Sequence, residues 1–321
     1  MDSVIDDDRL PHASFKARVL AWRELDPAAH LYVLLDPSQP IAAHDPLHLR
    51  QPLLRDSQRH IERVPRPDLL HEPELLPRLL QIYAAGENGY PDEGLLDALL
   101  ADATERAREL GGSYVAGWIW TRAEPRALAR HLASSGVMFD TGQGRERFIP
   151  LFEPHRLMLF AHADQGAAAL DAWLGPIDHW LALDSRGTLR ILTRSAAASA
   201  EAIHWVRSRL GLNESAAQQR VPRAKAVMAA MRQATLALPE APEVAVDQAL
   251  QRALARGLRA HEDIVFSALN DFSLGIGWAE HPTAAAAIAR VLADSKRVLP
   301  GEFLALSPSE IEDIVRFGGA D

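Results

Sequence analysis

Histidines near one another or near carboxylates are the first places to look for chemistry in this chain. His44 and His48 are four residues apart, the spacing at which a helix would aim two imidazoles at one metal ion. Pro46 lies between them in a proline-rich stretch, and proline does not fit the interior of a helix. We therefore expect an exposed loop here and predict no metal site.

Two further groups combine histidine with acidic residues. Asp178 and His179 open a predicted strand, in which successive side chains point to opposite faces, so we do not expect them to act together. His261, Glu262 and Asp263 are typical of a helix start, where acidic side chains favour the positive end of the helix dipole. A catalytic site assembled from distant residues stays open, because such sites are defined in space.

The remaining motifs do not indicate catalysis either. Gly142 and Gly144 form a Gly-x-Gly sequence between two predicted strands, whereas a phosphate-binding loop would open a helix. This spacing predicts a hairpin turn. The chain has no cysteine, which excludes disulfides, thiol catalysis and thiolate metal sites. The sequence therefore predicts no catalytic residue and no cofactor.

Composition and charge narrow the class of protein. The 321 residues are 48% hydrophobic and 24% charged, an ordinary globular composition. A net charge of -9 argues against binding to nucleic acid, which requires a basic surface. The acidic first residues do not resemble a signal peptide, and no apolar run is long enough for a transmembrane helix. We expect a cytoplasmic protein without membrane insertion.

Hydrophobic periodicity predicts two lobes of different character. Short apolar runs bounded by turn residues predict strands, which lie at 31–35, 60–64, 114–121, 137–140, 147–152, 177–183 and 188–193. From about residue 199 every segment has a helical pattern. We expect an α+β or α/β N-terminal lobe over residues 1–198, with a mixed sheet flanked by helices. An all-helical C-terminal lobe should follow over residues 199–321.

Aromatic and aliphatic residues supply the candidates for partner binding. Trp118 and Trp120 share one face of a predicted strand, and with Trp180 they could form either the core or a partner-binding pocket. A predicted helix over 262–278 has an unusually wide apolar stripe. That stripe fits either a central helix or a groove that receives a partner. Its candidate partner-binding residues are Phe266, Leu269, Phe272, Ile276 and Trp278.

Three sequence blocks resemble the adaptor/chaperone family of the bacterial type VI secretion system. The first is the strand-like Leu31–Asp36, which ends in the motif residue Asp36. The second contains Phe152, Glu153 and Pro154, and the third contains Gly175 and Pro176 before an apolar strand. The chain departs from the family pattern in the second block, where Pro150 and His155 replace two arginines.

This resemblance implies a function without catalysis. Adaptors of the family capture a secreted effector, often at its N-terminal or transmembrane region, and promote its loading onto the VgrG or PAAR spike protein. The expected partners are therefore an effector and a spike component. Two alternatives stay open from the sequence: a hydrolase-like enzyme with a spatially assembled His/Asp site, and an immunity protein that inhibits a toxin.

Overall fold

A computed structural model describes residues 9–55, 59–89, 92–109, 113–140, 145–162, 166–195 and 212–319. Its contacts divide the chain into two compact units, residues 1–218 and 219–321. The predicted lobe boundary between residues 198 and 199 lies outside the described residues. So do the predicted turn that contains Gly142 and Gly144 and residues 199–211 of the predicted helical lobe.

The first unit contains nine described strands: β1 (Arg9–Leu10), β2 (His30–Leu35), β3 (Ile61–Arg63), β4 (Arg78–Tyr83), β5 (Val115–Thr121), β6 (Val137–Asp140), β7 (Arg145–Phe148), β8 (Ile177–Leu183) and β9 (Leu189–Thr193). Seven of them form one sheet with the order β1-β9-β8-β5-β2-β4-β3. Every strand pair in it is antiparallel. A separate antiparallel hairpin joins β6 to β7.

Helices cover both faces of this sheet. They are α1 (Phe15–Leu25), α2 (Pro52–Arg55), α3 (Glu93–Glu109), α4 (Pro125–Ser135), α5 (Pro154–Ala161) and α6 (Gly166–Leu174). Side chains of β2 alternate between two cores: Leu31 and Val33 pack with α1 and α3, whereas Tyr32 and Leu34 pack with α4, α5 and α6. This alternation explains why β2 is apolar at nearly every position and is buried along its whole length.

The predicted α+β lobe followed by helices is confirmed, but the sheet is antiparallel rather than mixed. Two strands, β1 and β4, were not predicted from the sequence. β1 has only two residues, too few for a hydrophobic period to be recognised. β4 directly follows a proline-rich stretch that indicated loops, and its partner β2 stabilises it through contacts that are distant in sequence.

The second unit is helical throughout its described residues. α7 (Leu212–Gln233) contains the point at which the two units divide. Five helices follow: α8 (Pro242–Ala255), α9 (His261–Ser273), α10 (Pro282–Ala293), α11 (Leu299–Leu304) and α12 (Pro308–Gly318). The single helix predicted over 262–278 is wrong in length. It ends at Ser273, Gly275 adopts a φ of 88°, and a short 3-10 helix follows over Ile276–Glu280.

Candidate functional site

A groove lies beside the C-terminal end of α1. Its cavity volume is about 330 Å³. We call it the Trp22 groove, and its lining residues are Trp22, Leu25, Asp26, Trp120, Asp178, His179, Thr193, Arg194 and Ser195. The His179 ring stacks on the indole of Trp22, with ring centroids 4.3 Å apart and planes 2° from parallel. Trp120 lies beneath this pair, 6.1 Å from Trp22.

An irregularity in β8 brings Asp178 and His179 to the same cavity. Opposite β5, Thr121 pairs with Ile177 and Trp120 pairs with His179, so Asp178 is an extra residue with no cross-strand partner. Such a bulge re-aims a side chain that regular alternation would send to the other face. Both side chains therefore line the groove, which regular strand alternation would not allow. They have different partners, because Asp178 forms an ion pair with Arg194, 2.8 Å between Oδ1 and Nη2.

The groove is polar at its rim, and its surroundings disfavour protonation of His179. Nδ1 of His179 lies 3.0 Å from the Thr193 hydroxyl. Burial lowers the pKa of His179 below its ordinary value of 6.5, Asp178 opposes this change, and Arg18 adds to it. A second rim ion pair joins Arg122 to Asp26 at 2.8 Å. The arrangement can hold an apolar group between aromatic walls and bind charged groups at the edge.

Most of the tryptophans named as candidates for partner binding lie in the core instead. Trp118, Trp120, Trp180 and Trp278 are all buried. Trp118 and Trp120 belong to the core under α1 and α3, whereas Trp180 belongs to the core on the opposite face of the sheet. These three cannot form one pocket, because the sheet separates them. Core packing accounts for Trp118 and Trp180, and Trp120 alone also reaches the wall of the groove.

The apolar stripe of α9 divides into a buried face and a half-buried flank. Phe266, Leu269 and Phe272 are half-buried. The Phe266 ring packs at right angles to that of Phe303, 5.2 Å between centroids. Trp278 is in the core of the second unit, where it contacts the same phenylalanine and cannot touch a partner. Ile276 is 62% exposed and is the most accessible of the predicted residues.

Ile276 lies next to a close backbone contact between Gly275 and Gly318. A Cβ added to either glycine would collide with main-chain atoms of the opposite segment. Phe317, which precedes Gly318, is 48% exposed and packs against the His281 ring, 5.4 Å between centroids. Ile276 and Phe317 thus flank one contact, and we call this region the Ile276–Phe317 surface. Sequence reasoning missed Phe317 because its apolar neighbours on α12 gave no reason to prefer it.

The first two motif blocks of the resemblance meet around Arg66. Asp36, at the end of β2, is buried; Ser38 donates to its Oδ1 from both main chain and hydroxyl. Burial raises the pKa of Asp36, and the nearby Arg66 opposes that change while Glu153 adds to it. The Arg66 guanidinium lies over the Phe152 ring at 5.6 Å. Glu153 precedes α5 and pairs with Arg156 at 3.0 Å, and Pro154 is the first residue of that helix.

The third motif block lies at the other end of β5. The Pro176 carbonyl accepts a hydrogen bond from the Thr121 hydroxyl at 2.6 Å, and Thr121 is the last residue of β5. Gly175 has a φ of 55° and packs against the His131 ring, which leaves no room for a side chain. Asp36 instead adjoins Tyr114, just before β5 begins. The six motif residues therefore do not form one site, and their contacts stabilise two turns of the fold.

Ser185 and His155 are the described pair closest to a nucleophile and its base. His155 Nδ1 lies 2.8 Å from the Ser185 hydroxyl, and both residues are buried. This contact connects α5 to the turn between β8 and β9, so the histidine that replaces a family arginine has a structural partner. The neighbouring Asp184 pairs with Arg190 at 3.0 Å. Because the hydroxyl is not accessible, this geometry does not present it to a substrate.

The other predicted motifs have simple placements. His44 and His48 lie in turns, and His261 begins α9, as expected for a loop and a helix start. Within the described ranges, no three His, Cys, Asp or Glu residues are grouped so that they could hold a metal ion. No helix in that part of the chain is both long and apolar enough to cross a membrane. Comparisons with protein-family models, curated proteins and solved structures found no match.

Proposed function

We propose that this chain is a non-enzymatic cytoplasmic adaptor of a type VI secretion system. It binds a secreted effector and promotes loading of that effector onto the VgrG or PAAR spike. The family part of the proposal rests on the three motif blocks that resemble the adaptor family. The protein-binding part rests on the Ile276–Phe317 surface, which exposes large apolar side chains beside a rigid backbone contact.

Exposed apolar side chains support protein binding because they gain free energy when a partner removes them from water. Phe317 packs against the His281 ring, and the Gly275–Gly318 contact holds the backbone beside Ile276, so a partner would meet a preformed surface. The half-buried Phe266, Leu269 and Phe272 remain candidates for the edge of the contact. Asp36, Phe152 and Glu153, by contrast, stabilise the first unit rather than offer a surface.

The test is an affinity pull-down of the tagged protein from its own cells under conditions in which the secretion machinery is expressed. Three versions are compared: the wild type, the double variant I276S/F317S, and the control L292S. Leu292 is 51% exposed and lies beside Gly257, outside the Gly275–Gly318 contact. L292S therefore makes the same kind of change, from an exposed apolar side chain to serine, at a position outside the proposed surface. Circular dichroism establishes that all three versions are folded.

We expect the wild type and L292S to recover an effector together with VgrG or a PAAR protein. The double variant should lose the effector, because serine at both positions removes most of the exposed apolar area. Recovery of no secretion component by the wild type would contradict the adaptor proposal. Equal recovery of the effector by the double variant would leave the adaptor proposal standing and refute the assignment of this surface.

A further inference from the structure

The Trp22 groove is lined by residues of the first unit alone. Three of its residues come from α1 and its C-terminal end, one from β5, and the others from β8, β9 and the residues after β9. Strands and a packed helix therefore fix its walls. The stacked rings of Trp22 and His179 give it a flat aromatic side that exists before any ligand binds.

The size and lining of the groove favour one large side chain. Small-molecule and cofactor pockets range from about 300 to 1,000 Å³, and this cavity lies at the lower limit. Leu25 is 83% exposed at its edge, although an isolated leucine normally gains by burial. Trp22 itself is buried, so an aromatic ring inserted between Leu25 and the Trp22–His179 pair would mainly cover the leucine and would touch only the exposed edge of the indole.

The charges around the groove favour an acidic partner. Arg122 pairs with Asp26, and Arg194 pairs with Asp178, so these four charges compensate one another. Arg18 precedes Trp22 by four residues and Leu25 by seven, which places all three on one face of α1. Arg18 is exposed and, within the described ranges, forms no ion pair; its positive charge contributes to the low pKa of His179.

We propose that the Trp22 groove binds a peptide segment of a partner protein in which an aromatic side chain is flanked by Asp or Glu. The ring enters the cavity between Leu25 and Trp22. A flanking carboxylate pairs with Arg18, whose planar guanidinium can bind both carboxylate oxygens. This inference does not depend on the partner being a secreted effector, and it requires no contact with the second unit.

Fluorescein-labelled synthetic peptides provide the test, with binding followed by fluorescence anisotropy of the purified full chain. One peptide has a phenylalanine flanked on both sides by glutamates, a second has lysines in place of the glutamates, and a third has alanine in place of the phenylalanine. Wild type is compared with R18E and with R126E. Arg126 is an exposed arginine on α4, on the opposite face of the sheet, so the second variant controls for net charge.

We expect the glutamate peptide with phenylalanine to bind wild type and R126E with equal affinity. Its affinity for R18E should be lower by a factor of about ten or more. The lysine and alanine peptides should bind at least that much more weakly to wild type. Raising the ionic strength from about 0.01 M to about 0.15 M should lower the affinity of wild type for the glutamate peptide, because salt screens the charges at the solvent-exposed rim.

Three results would overturn the proposal: no binding of the glutamate peptide to wild type, equal binding of the lysine peptide, or equal binding to R18E and R126E. None of these involves Ile276 or Phe317. Failure here and failure of the adaptor proposal are therefore distinguishable.

Discussion

The indole of Trp278 donates a hydrogen bond from Nε1 to Oδ1 of Asp271, 2.9 Å away in the core of the second unit. The carboxylate also pairs with Arg252 at 2.7 Å and with Arg256 at 3.3 Å, and its side chain has no exposed surface. Arg256 lies over the Trp278 ring, 5.4 Å from its centroid. A single buried acid thus connects α8, α9 and the 3-10 helix.

Removing this acid should destabilise the second unit strongly. In D271A, two partly buried guanidinium groups and the indole N–H lose their shared acceptor. We expect a loss of about 3 kcal/mol in the free energy of unfolding, the lower end of the range for breaking a buried ion pair, because both arginines retain some solvent. Urea denaturation followed by circular dichroism measures it.

W278F removes one hydrogen bond to a charged group and also leaves a small cavity where the larger ring packed, so we expect a loss of at least about 1.5 kcal/mol. The control is D313A, which breaks the exposed pair between Asp313 and Arg316 and should cost no more than about 1 kcal/mol. A D271A protein as stable as D313A would show that the buried network contributes nothing.

The backbone contact between Gly275 and Gly318 should tolerate no side chain. In G275A, the new methyl group would meet the Gly318 carbonyl, and the φ of 88° would be strained for alanine. We expect a loss of about 1–3 kcal/mol in unfolding free energy, the usual cost of overpacking. Chemical denaturation provides the measurement.

G277A is the matched control for this change. Gly277 lies in the 3-10 helix that follows Gly275, and an added Cβ there would have no atom within 4 Å. Its stability should therefore remain within about 1 kcal/mol of wild type. If G275A and G277A unfold at the same denaturant concentration, the end of α12 does not depend on this contact.

His30 should make the first unit less stable in mild acid. Its Nδ1 accepts hydrogen bonds from the Gln81 side-chain amide at 3.0 Å and from the Ala85 main-chain N–H at 3.1 Å. Burial lowers the pKa of His30 below its ordinary value of 6.5, although Glu124 opposes this. Protonation would place an N–H against two donors, so the folded chain resists it.

Since the unfolded chain takes up this proton more readily, the free energy of unfolding should fall as the pH drops below 6.5. H30N keeps an acceptor near the Nδ1 position and does not titrate, so its stability should change less between about pH 8 and about pH 5. H71Q alters an exposed histidine and should behave as wild type. A pH dependence of H30N equal to that of wild type would rule out this role for His30.

Ser185 should not react as a catalytic nucleophile. Its hydroxyl is buried against His155. Although the histidine could accept the hydroxyl proton, a substrate cannot reach the buried oxygen, so the serine cannot attack it. We expect no labelling of the native protein by a fluorophosphonate probe, detected by mass spectrometry. Labelling of wild type that disappears in S185A would instead support the hydrolase-like alternative.

Local patterns in the sequence predicted most of the elements. Leu31–Leu35 reads as a strand buried on both faces because it is apolar at consecutive positions, and β2 is such a strand. The hairpin of β6 and β7 and the helical second half also follow from local periodicity and turns. The end of α9 was missed because the apolar pattern resumes after Gly275, although a glycine just past the C-cap, here with a φ of 88°, is a local signal for the end of a helix.

The candidate sites depended on contacts that no local pattern encodes. Trp118, Trp120 and Trp180 look alike in sequence, yet sheet order and pleating send Trp180 to the opposite core. One wall of the groove could have been found from the sequence, because the spacing of Arg18, Trp22 and Leu25 places them on one face of α1. That spacing gave no indication that His179 would stack on Trp22.

By itself the sequence determined the element types, the helical second half and the absence of thiol chemistry, because these depend on composition and short-range periodicity. Only the tertiary structure decided which apolar residues are core and which are surface. It also decided that a bulge at Asp178 completes the Trp22 groove. The physical reason is that burial and pocket formation arise from contacts between distant segments, and hydrophobic periodicity is the same whether the facing partner belongs to this chain or to another.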